Sequence, residues 1–130
     1  MKKVYLGGTC NQSRWRDELI DMIDIDYYNP IVDNWTERCQ EEEIRQQQLC
    51  DYLLYVITPE MTGVYSIAQV VDGSNKSPDK TLLCVMPGYH GLSFSESQLR
   101  SLKSVEKMVK NNGARVFDTL ESVAAYLNKV

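Results

Sequence analysis

The feature that most constrains the fold of this chain is a regular alternation of short apolar segments with longer segments of helical periodicity. The apolar, strand-like segments lie at 3–6, 26–32, 52–57, 81–86 and 114–117. The helical segments lie at about 13–23, 36–49, 64–74, 95–112 and 119–127. This alternation predicts a parallel sheet covered on both faces, because each parallel connection needs a crossover. Right-handed crossovers then favour an α/β, three-layer, flavodoxin-like (Rossmann-like) fold with five strands in the order 2-1-3-4-5 and helices on both faces.

The composition is that of one globular domain. The chain has 130 residues, of which 43% are hydrophobic and 25% are charged, and this is enough to bury a core without disulfides or metals. No linker or internal repeat divides the sequence, so we expect a single domain over 1–130. The net charge of −4 and the scattered lysines argue against nucleic acid as a partner, because its binders usually carry a basic stripe.

The cysteines and the histidine form no metal-binding pattern. The chain has four cysteines and one histidine, and no two cysteines stand at the spacing of a metal-ligand pair. We therefore expect no metal and no other cofactor. The cysteines are typical of a reducing compartment, and Cys84 is expected as a buried strand thiol. The apolar run after Lys2-Lys3 is too short for a secretory signal or a membrane span, so we expect a cytoplasmic protein without a membrane partner.

Several helix boundaries are predicted by capping residues. Ser95 with Gln98 three residues later has the pattern of a capping box, and Asp118 or Thr119 is expected to cap the last helix. The segment 36–49 has helical propensity but is strongly polar, which predicts a helix with a thin buried face.

Two glycine-containing turns follow the first and third predicted strands. These strands are neighbours in the predicted order, so the two turns are expected to form the walls of one cleft at the carboxyl edge of the sheet. Glycines let a backbone approach a ligand closely, and the helix that follows offers free amide donors. The candidate ligand-binding residues of the first wall are Gly7, Gly8, Thr9 and Asn11. A tight strand-to-helix turn without a ligand explains the same residues about equally well.

The second wall is the start of the third helix and the turn before it. Gly63 permits an unusual backbone angle, and Tyr65 and Ser66 offer hydroxyls. Gln69 lies in the first turns of the helix, and Asp72 follows it at i+3 on the same side. A helix that packs its apolar residues on the sheet and leaves Gln69 in solvent is the alternative interpretation.

The chain resembles the nucleoside 2-deoxyribosyltransferase-like family over nearly its whole length. The motifs that carry the resemblance are Val4-Tyr5-Leu6-Gly7-Gly8, Asn29-Pro30, the stretch from Glu43 to Cys50-Asp51, Tyr52-Leu53-Leu54-Tyr55-Val56-Ile57 and Gly63-Val64-Tyr65-Ser66-Ile67-Ala68-Gln69. The resemblance implies a carboxylate that attacks the anomeric carbon of a 2-deoxyribonucleoside while a second acid protonates the leaving base. This is the logic of a retaining glycosidase.

The resemblance also assigns roles to individual residues. The family's nucleophilic glutamate corresponds to Gln69, and an acidic residue that contacts the sugar or the base corresponds to Glu43. The family's other acid falls near Thr62-Gly63, where this chain has no carboxylate. Because glutamine lacks the charge and the nucleophilic oxygen of glutamate, we expect impaired turnover. Glu60 or Asp72 could substitute, although a solvated Glu60 and an Asp72 that merely ends the helix are the plainer interpretations.

Other candidates have weaker support. Trp35 and the pair Tyr27-Tyr28 could stack on a nucleobase, but such residues are more often core or interface residues. His90 lies in a glycine-containing loop after the fourth strand, where it could contact a ligand or a neighbouring subunit. An ordinary exposed loop histidine is the alternative.

The sequence therefore leaves two functions open. The first is an N-glycosyl (deoxyribosyl) transferase or hydrolase that acts on a (deoxy)nucleoside or nucleotide and is impaired by Gln69. The second is a non-catalytic protein that binds or senses a nucleotide or nucleotide-sugar, and a purely structural domain is a third, plainer option. The resemblance further implies a homo-oligomer, a dimer or higher.

Overall fold

The computed structural model describes residues 1–10 and 12–130, whose main sheet of five strands lies between two layers of helices. The strands of this part of the chain are β1 (Lys3–Gly8), β2 (Asp26–Tyr28), β3 (Tyr52–Ile57), β4 (Thr81–Val85), β5 (Gly88–Tyr89), β6 (Leu92–Ser93) and β7 (Arg115–Phe117). The α-helices are α1 (Trp15–Ile20), α2 (Glu37–Leu49), α3 (Tyr65–Lys76), α4 (Glu96–Asn111) and α5 (Leu120–Leu127), and a 3₁₀ turn covers Pro78–Lys80.

The main sheet has the predicted topology. Its five strands are all parallel and lie in the order β2-β1-β3-β4-β7, which is the predicted 2-1-3-4-5 because β7 is the fifth strand of this sheet. The α/β, three-layer, flavodoxin-like prediction is confirmed. The register of β1 against β3 pairs Gly8 with Val56. The turns that leave these two strands therefore lie side by side at one edge of the sheet.

Each face of the sheet carries its own core, because successive strand residues point to opposite faces. On one face, Leu6 and Leu54 pack with Trp15 of α1 and Leu127 of α5. On the other, alternate residues of the same strands pack under α3 and α4, whose contributions include Val70 and Val109. The predicted strand thiol Cys84 is fully buried.

The capping predictions are confirmed at two helix starts. The Ser95 hydroxyl accepts from the backbone N–H of Gln98 at 3.1 Å, and the Gln98 side chain accepts from the backbone N–H of Ser95 at 2.9 Å, which completes a capping box. Thr119, rather than Asp118, caps α5, since its hydroxyl accepts from the backbone N–H of Ser122.

The second strand, the first helix and the segment after the fourth strand differ from the sequence prediction, and the first helix covers Trp15–Ile20 instead of 13–23. The second strand ends at Tyr28 instead of continuing to 32, because Pro30 has no N–H to donate to a strand ladder. The segment 87–94, predicted as a loop, contains the antiparallel hairpin β5–β6. Its turn has positive φ at both central residues, His90 (49°) and Gly91 (81°), as type I′ hairpin turns require.

The helix α2 packs on the rest of the protein through a narrow buried face, as its polar sequence predicts. Gln46 is the one residue of α2 that is classed as buried among the described residues, and Ile44 and Leu49 are largely exposed. A gap between α2 and the sheet follows from this thin packing, and the candidate site lies there.

Candidate functional site

A cleft of about 350 Å³ opens where the turns after β1 and β3 meet. Seven of the predicted wall residues line it: Gly7, Gly8 and Thr9 on the β1 side, and Gly63, Tyr65, Ser66 and Gln69 on the α3 side. Glu43 reaches the same cleft from α2. The cleft therefore brings together residues that are far apart in the chain, at the point where ligands bind in open parallel sheets.

The two glycines of the β1 wall are required by close packing. A Cβ added to Gly7 would lie 2.7 Å from Cδ1 of Tyr55, well inside van der Waals contact. Gly8 has φ of +120°, and a Cβ there would overlap the backbone carbonyl of Val56. This wall therefore consists of backbone without side chains, which leaves room for a ligand. Residues with a Cβ do not fit at either position without overlap.

Thr9 ties the two turns together. Its hydroxyl accepts from the backbone N–H of Thr58 at 2.9 Å, and its own N–H donates to the carbonyl of Val56 at 2.8 Å. Both threonine side chains are buried. The side chain of Thr9 therefore fixes the geometry of the cleft. Because Thr9 also lines the cleft, the backbone of this residue lies beside any ligand that binds there.

A buried arginine that the sequence analysis missed supports the β1 turn from below. The Arg16 guanidinium is 3% exposed and donates to the carbonyls of Leu6 at 2.9 Å and Thr9 at 2.7 Å. A longer contact of 3.4 Å joins it to the carbonyl of Gly8. Burial lowers the pKa of Arg16, but arginine keeps its charge at neutral pH. The floor of the cleft therefore carries a fixed positive charge.

Glu43 supplies a negative charge opposite this arginine. Its carboxylate is half-buried, and burial raises its pKa while the charge of Arg16 opposes that rise. Among the described residues that line the cleft, Glu43 carries the one carboxylate. An ionised Glu43 can accept hydrogen bonds from ligand hydroxyls, and its raised pKa places that ionisation at a higher pH than for an exposed glutamate.

Gln69 and Tyr5 form the back of the cleft. Gln69 is half-buried on the inner face of α3, so the predicted position of its side chain beside the cleft agrees with the structure. Tyr5 is 3% exposed, and burial raises its pKa to about 12, an effect that a hydrogen bond from Gln47 partly offsets. Both groups are neutral at physiological pH and present hydrogen-bonding atoms to the cleft.

A family model described as "nucleoside 2-deoxyribosyltransferase like" matches residues 1–89, which contain all of these cleft residues. The chain belongs to the nucleoside 2-deoxyribosyltransferase-like family. The resemblance seen in the sequence motifs is thereby confirmed. Comparison with curated proteins and comparison with solved structures gave no match.

The remaining predicted residues of this deoxyribosyltransferase-like chain lie elsewhere. Asn11 falls outside the described residues. Trp35 is 58% exposed in the connection before α2 and does not line the cleft. Glu60, a candidate ligand-binding residue for which exposure to solvent was the plainer interpretation, is half-buried and accepts hydrogen bonds from the hydroxyls of Ser13 and Thr58. It is one of the residues that hold the two turns together.

Two further candidates are engaged away from the cleft. Asp72 forms an ion pair of 3.1 Å with Lys76 one turn along α3. The His90 Nε2 lies 2.6 Å from a carboxylate oxygen of Glu18, which connects the β5–β6 hairpin to α1. Neither Asp72 nor His90 lines the cleft.

Sequence reasoning also missed the apolar part of this deoxyribosyltransferase-like cleft. Pro30 and Ile31 line it from the connection after β2, and Met61 lines it from the turn after β3. The Asn29-Pro30 motif was a usable signal for the first pair, since it marks the end of the strand beside β1. Met61 is an ordinary apolar residue in a loop and gave no signal.

No helix within 1–10 and 12–130 is both long enough and apolar enough to cross a membrane. Within the same ranges, no group of three or more histidine, cysteine, aspartate or glutamate residues is arranged to hold a metal ion.

Proposed function

We propose that the cleft binds a (deoxy)nucleoside or nucleotide with its sugar between Glu43 and Gln69, and that turnover at the N-glycosidic bond is impaired. The observation that carries this proposal is the pair of side chains on the cleft walls. Glu43 supplies the carboxylate that can hold a sugar or base, whereas an amide, Gln69, stands where the family has its nucleophile. The pocket is suited to recognition, and at the Gln69 position it lacks the carboxylate that would form a glycosyl ester.

Apart from Glu43, which the proposal assigns to the sugar or the base, no residue of the described cleft lining carries a carboxylate, and this supports impaired turnover. Glu60 is bonded to the hydroxyls of Ser13 and Thr58. Asp72 is paired with Lys76 and faces a neighbouring hollow instead of the cleft. Neither carboxylate is positioned to attack an anomeric carbon held beside Gln69. A non-catalytic protein that binds or senses a nucleotide or nucleotide-sugar is therefore the favoured form of the proposal.

A homo-oligomer is part of this proposal. Ile31, Trp35 and Ile44 are each at least 50% exposed, and they come from the connection before α2 and from α2 itself. Large exposed apolar side chains around one region are typical of an interface. A second copy of the chain that covers them would also lie near the mouth of the cleft, because Ile31 belongs to its lining.

The proposal predicts that binding depends on the charge of Glu43. We expect Glu43→Gln to weaken deoxynucleoside binding about 10-fold at neutral pH, because a charge-assisted hydrogen bond to the ligand is replaced by a neutral one. The wild-type affinity should rise with pH as Glu43 loses its proton and should level off above its raised pKa. In the variant this dependence on pH should disappear. Isothermal titration calorimetry with deoxyinosine between pH 4 and pH 8, as an approximate range, measures both effects.

Glu42 provides a matched control for this measurement. Its carboxylate lies one residue away on α2, bonds to Arg45 and Gln46, and does not line the cleft. Glu42→Gln should leave the affinity and its pH dependence unchanged. Equal losses in the two variants would show that α2 as a whole, and not the Glu43 carboxylate, determines binding, and would contradict the proposed role of Glu43.

A further inference from the structure

The cleft continues into a second hollow of about 380 Å³. The two hollows share Tyr65 and Gln69 as lining residues. Beyond Gln69, the second hollow runs along α3 to Asp72, Gly73 and Lys76. These positions follow one another at i+3 or i+4 along a single helix face, so one continuous wall serves both hollows.

The other surfaces are continuous in the same way. On α2, Glu43 lines the cleft and Gln47, one turn later, lines the second hollow. On β3, Ile57 lines the cleft, and Tyr55 and Leu53, the next residues on the same face of the strand, line the second hollow. The two hollows are therefore parts of one groove between α2 and α3, with β3 as its floor.

The groove changes in charge along its length. The cleft has one fixed cation and one carboxylate, Arg16 and Glu43. The residues that line the second hollow include Lys76, Lys80 and Asp72. Its described ionisable lining thus carries an excess of one positive charge. An anionic part of a ligand is better accommodated there than in the cleft.

The two lysines differ in how freely they can respond to a ligand. The Lys80 ammonium donates to the backbone carbonyls of Gln47 at 3.1 Å and Cys50 at 3.2 Å, where it stabilises the end of α2. Lys76 is held by an exposed ion pair with Asp72, and such pairs contribute little stability. Lys76 can therefore turn towards an anionic ligand at small cost.

We infer that the ligand is a nucleoside diphosphate or a derivative of one, with the nucleoside in the cleft and the diphosphate in the second hollow. Gln69 and Lys76 are about 10 Å apart along the axis of α3, from a rise of about 1.5 Å per residue. A diphosphate attached to the sugar fits this length and places both phosphates along the part of the groove that has the excess of positive charge. The inference rests on the proposed function, because it takes the sugar to lie beside Gln69.

The test compares deoxyinosine, its 5′-monophosphate and its 5′-diphosphate by titration calorimetry. We expect the diphosphate to bind the wild-type protein at least about 10-fold more tightly than the nucleoside. Lys76→Gln should remove this gain and leave nucleoside affinity unchanged. Asp72→Asn, which releases Lys76 from its ion pair, should increase the gain about threefold. Lys103→Gln on α4, outside both hollows, is the matched control and should change neither affinity.

The outcomes separate this inference from the proposed function. If the protein binds the nucleoside but binds the diphosphate no more tightly, the inference is overturned while the proposed function stands. The same holds if the tighter binding of the diphosphate persists in Lys76→Gln. Inorganic pyrophosphate that binds as tightly as the nucleoside diphosphate would also overturn it, because the hollow would then be a simple anion site. If no member of the series binds, the proposed function fails as well.

Discussion

Gln69→Glu should convert this protein from one with little base exchange into a measurable deoxyribosyltransferase. Gln69 lines the cleft on α3, where we propose that the family has its nucleophile, and glutamate fills nearly the same volume. The substitution restores a carboxylate that can form a glycosyl ester. We expect a gain of at least about 100-fold in the exchange of deoxyinosine with adenine, because removal of a nucleophile commonly costs several orders of magnitude. Chromatographic detection of deoxyadenosine measures this rate.

The full activity of the family is not expected from this single substitution. We further propose, from the sequence resemblance, that the family's second acid corresponds to the region of Thr62-Gly63, where this chain has no carboxylate, so we expect protonation of the leaving base to stay slow. Gln40→Glu adds the same charge to α2 at an exposed position away from the cleft and is the control. Equal, negligible rates for the wild type and Gln69→Glu would count against the assignment of Gln69. Rapid exchange by the wild type would show that another carboxylate serves as nucleophile.

Gly8→Ala should destabilise the fold more than any other single glycine substitution in the cleft. Gly8 has φ of +120°, and the added Cβ would overlap the carbonyl of Val56 in the central strand β3. Neither strand can move, because both are buried between two layers of helices. We expect a loss of at least about 3 kcal/mol in the free energy of unfolding. Urea denaturation followed by circular dichroism measures it.

Two other glycines turn this prediction into an ordered series. Gly7→Ala places its Cβ against the rings of Tyr55 and Tyr5, which are side chains and can shift, so the loss should be smaller. Gly63→Ala meets no atom within 4 Å and should change stability by less than about 1 kcal/mol. If Gly63→Ala lowered the free energy of unfolding as much as Gly8→Ala does, this result would contradict the close approach of β1 to β3. Should Gly8→Ala not fold at all, the comparison of Gly7→Ala with Gly63→Ala still tests the packing.

The parts of the fold that depend on hydrophobic pattern were predictable from the sequence. The apolar run Tyr52–Ile57 predicted the central strand with its correct bounds, and the capping residues predicted the starts of α4 and α5. Strand order followed from the alternation of elements and the handedness of crossovers. The hairpin β5–β6 was not predictable, because strands of two residues carry no periodicity.

The candidate site was predictable where it consists of turns and motifs. The glycine turns were found because they follow strands that topology places side by side, whereas Gln69 was assigned its role through the resemblance to the family. Arg16 was missed, since a charged residue in a helical segment is normally expected in solvent. Its burial arises because the β1 turn leaves several carbonyls pointing inward, and the guanidinium satisfies them. The interactions of Glu60 with the two hydroxyls likewise depend on tertiary geometry that a single sequence does not display.

A crystal structure grown with saturating deoxyinosine tests the central claim most directly. We expect one nucleoside in the cleft lined by Gly7 and Gly8, with the sugar hydroxyls against Glu43 and the anomeric carbon facing the amide of Gln69. A nucleoside bound on another face of the domain, or a cleft that stays without ligand at saturating concentration, would contradict it.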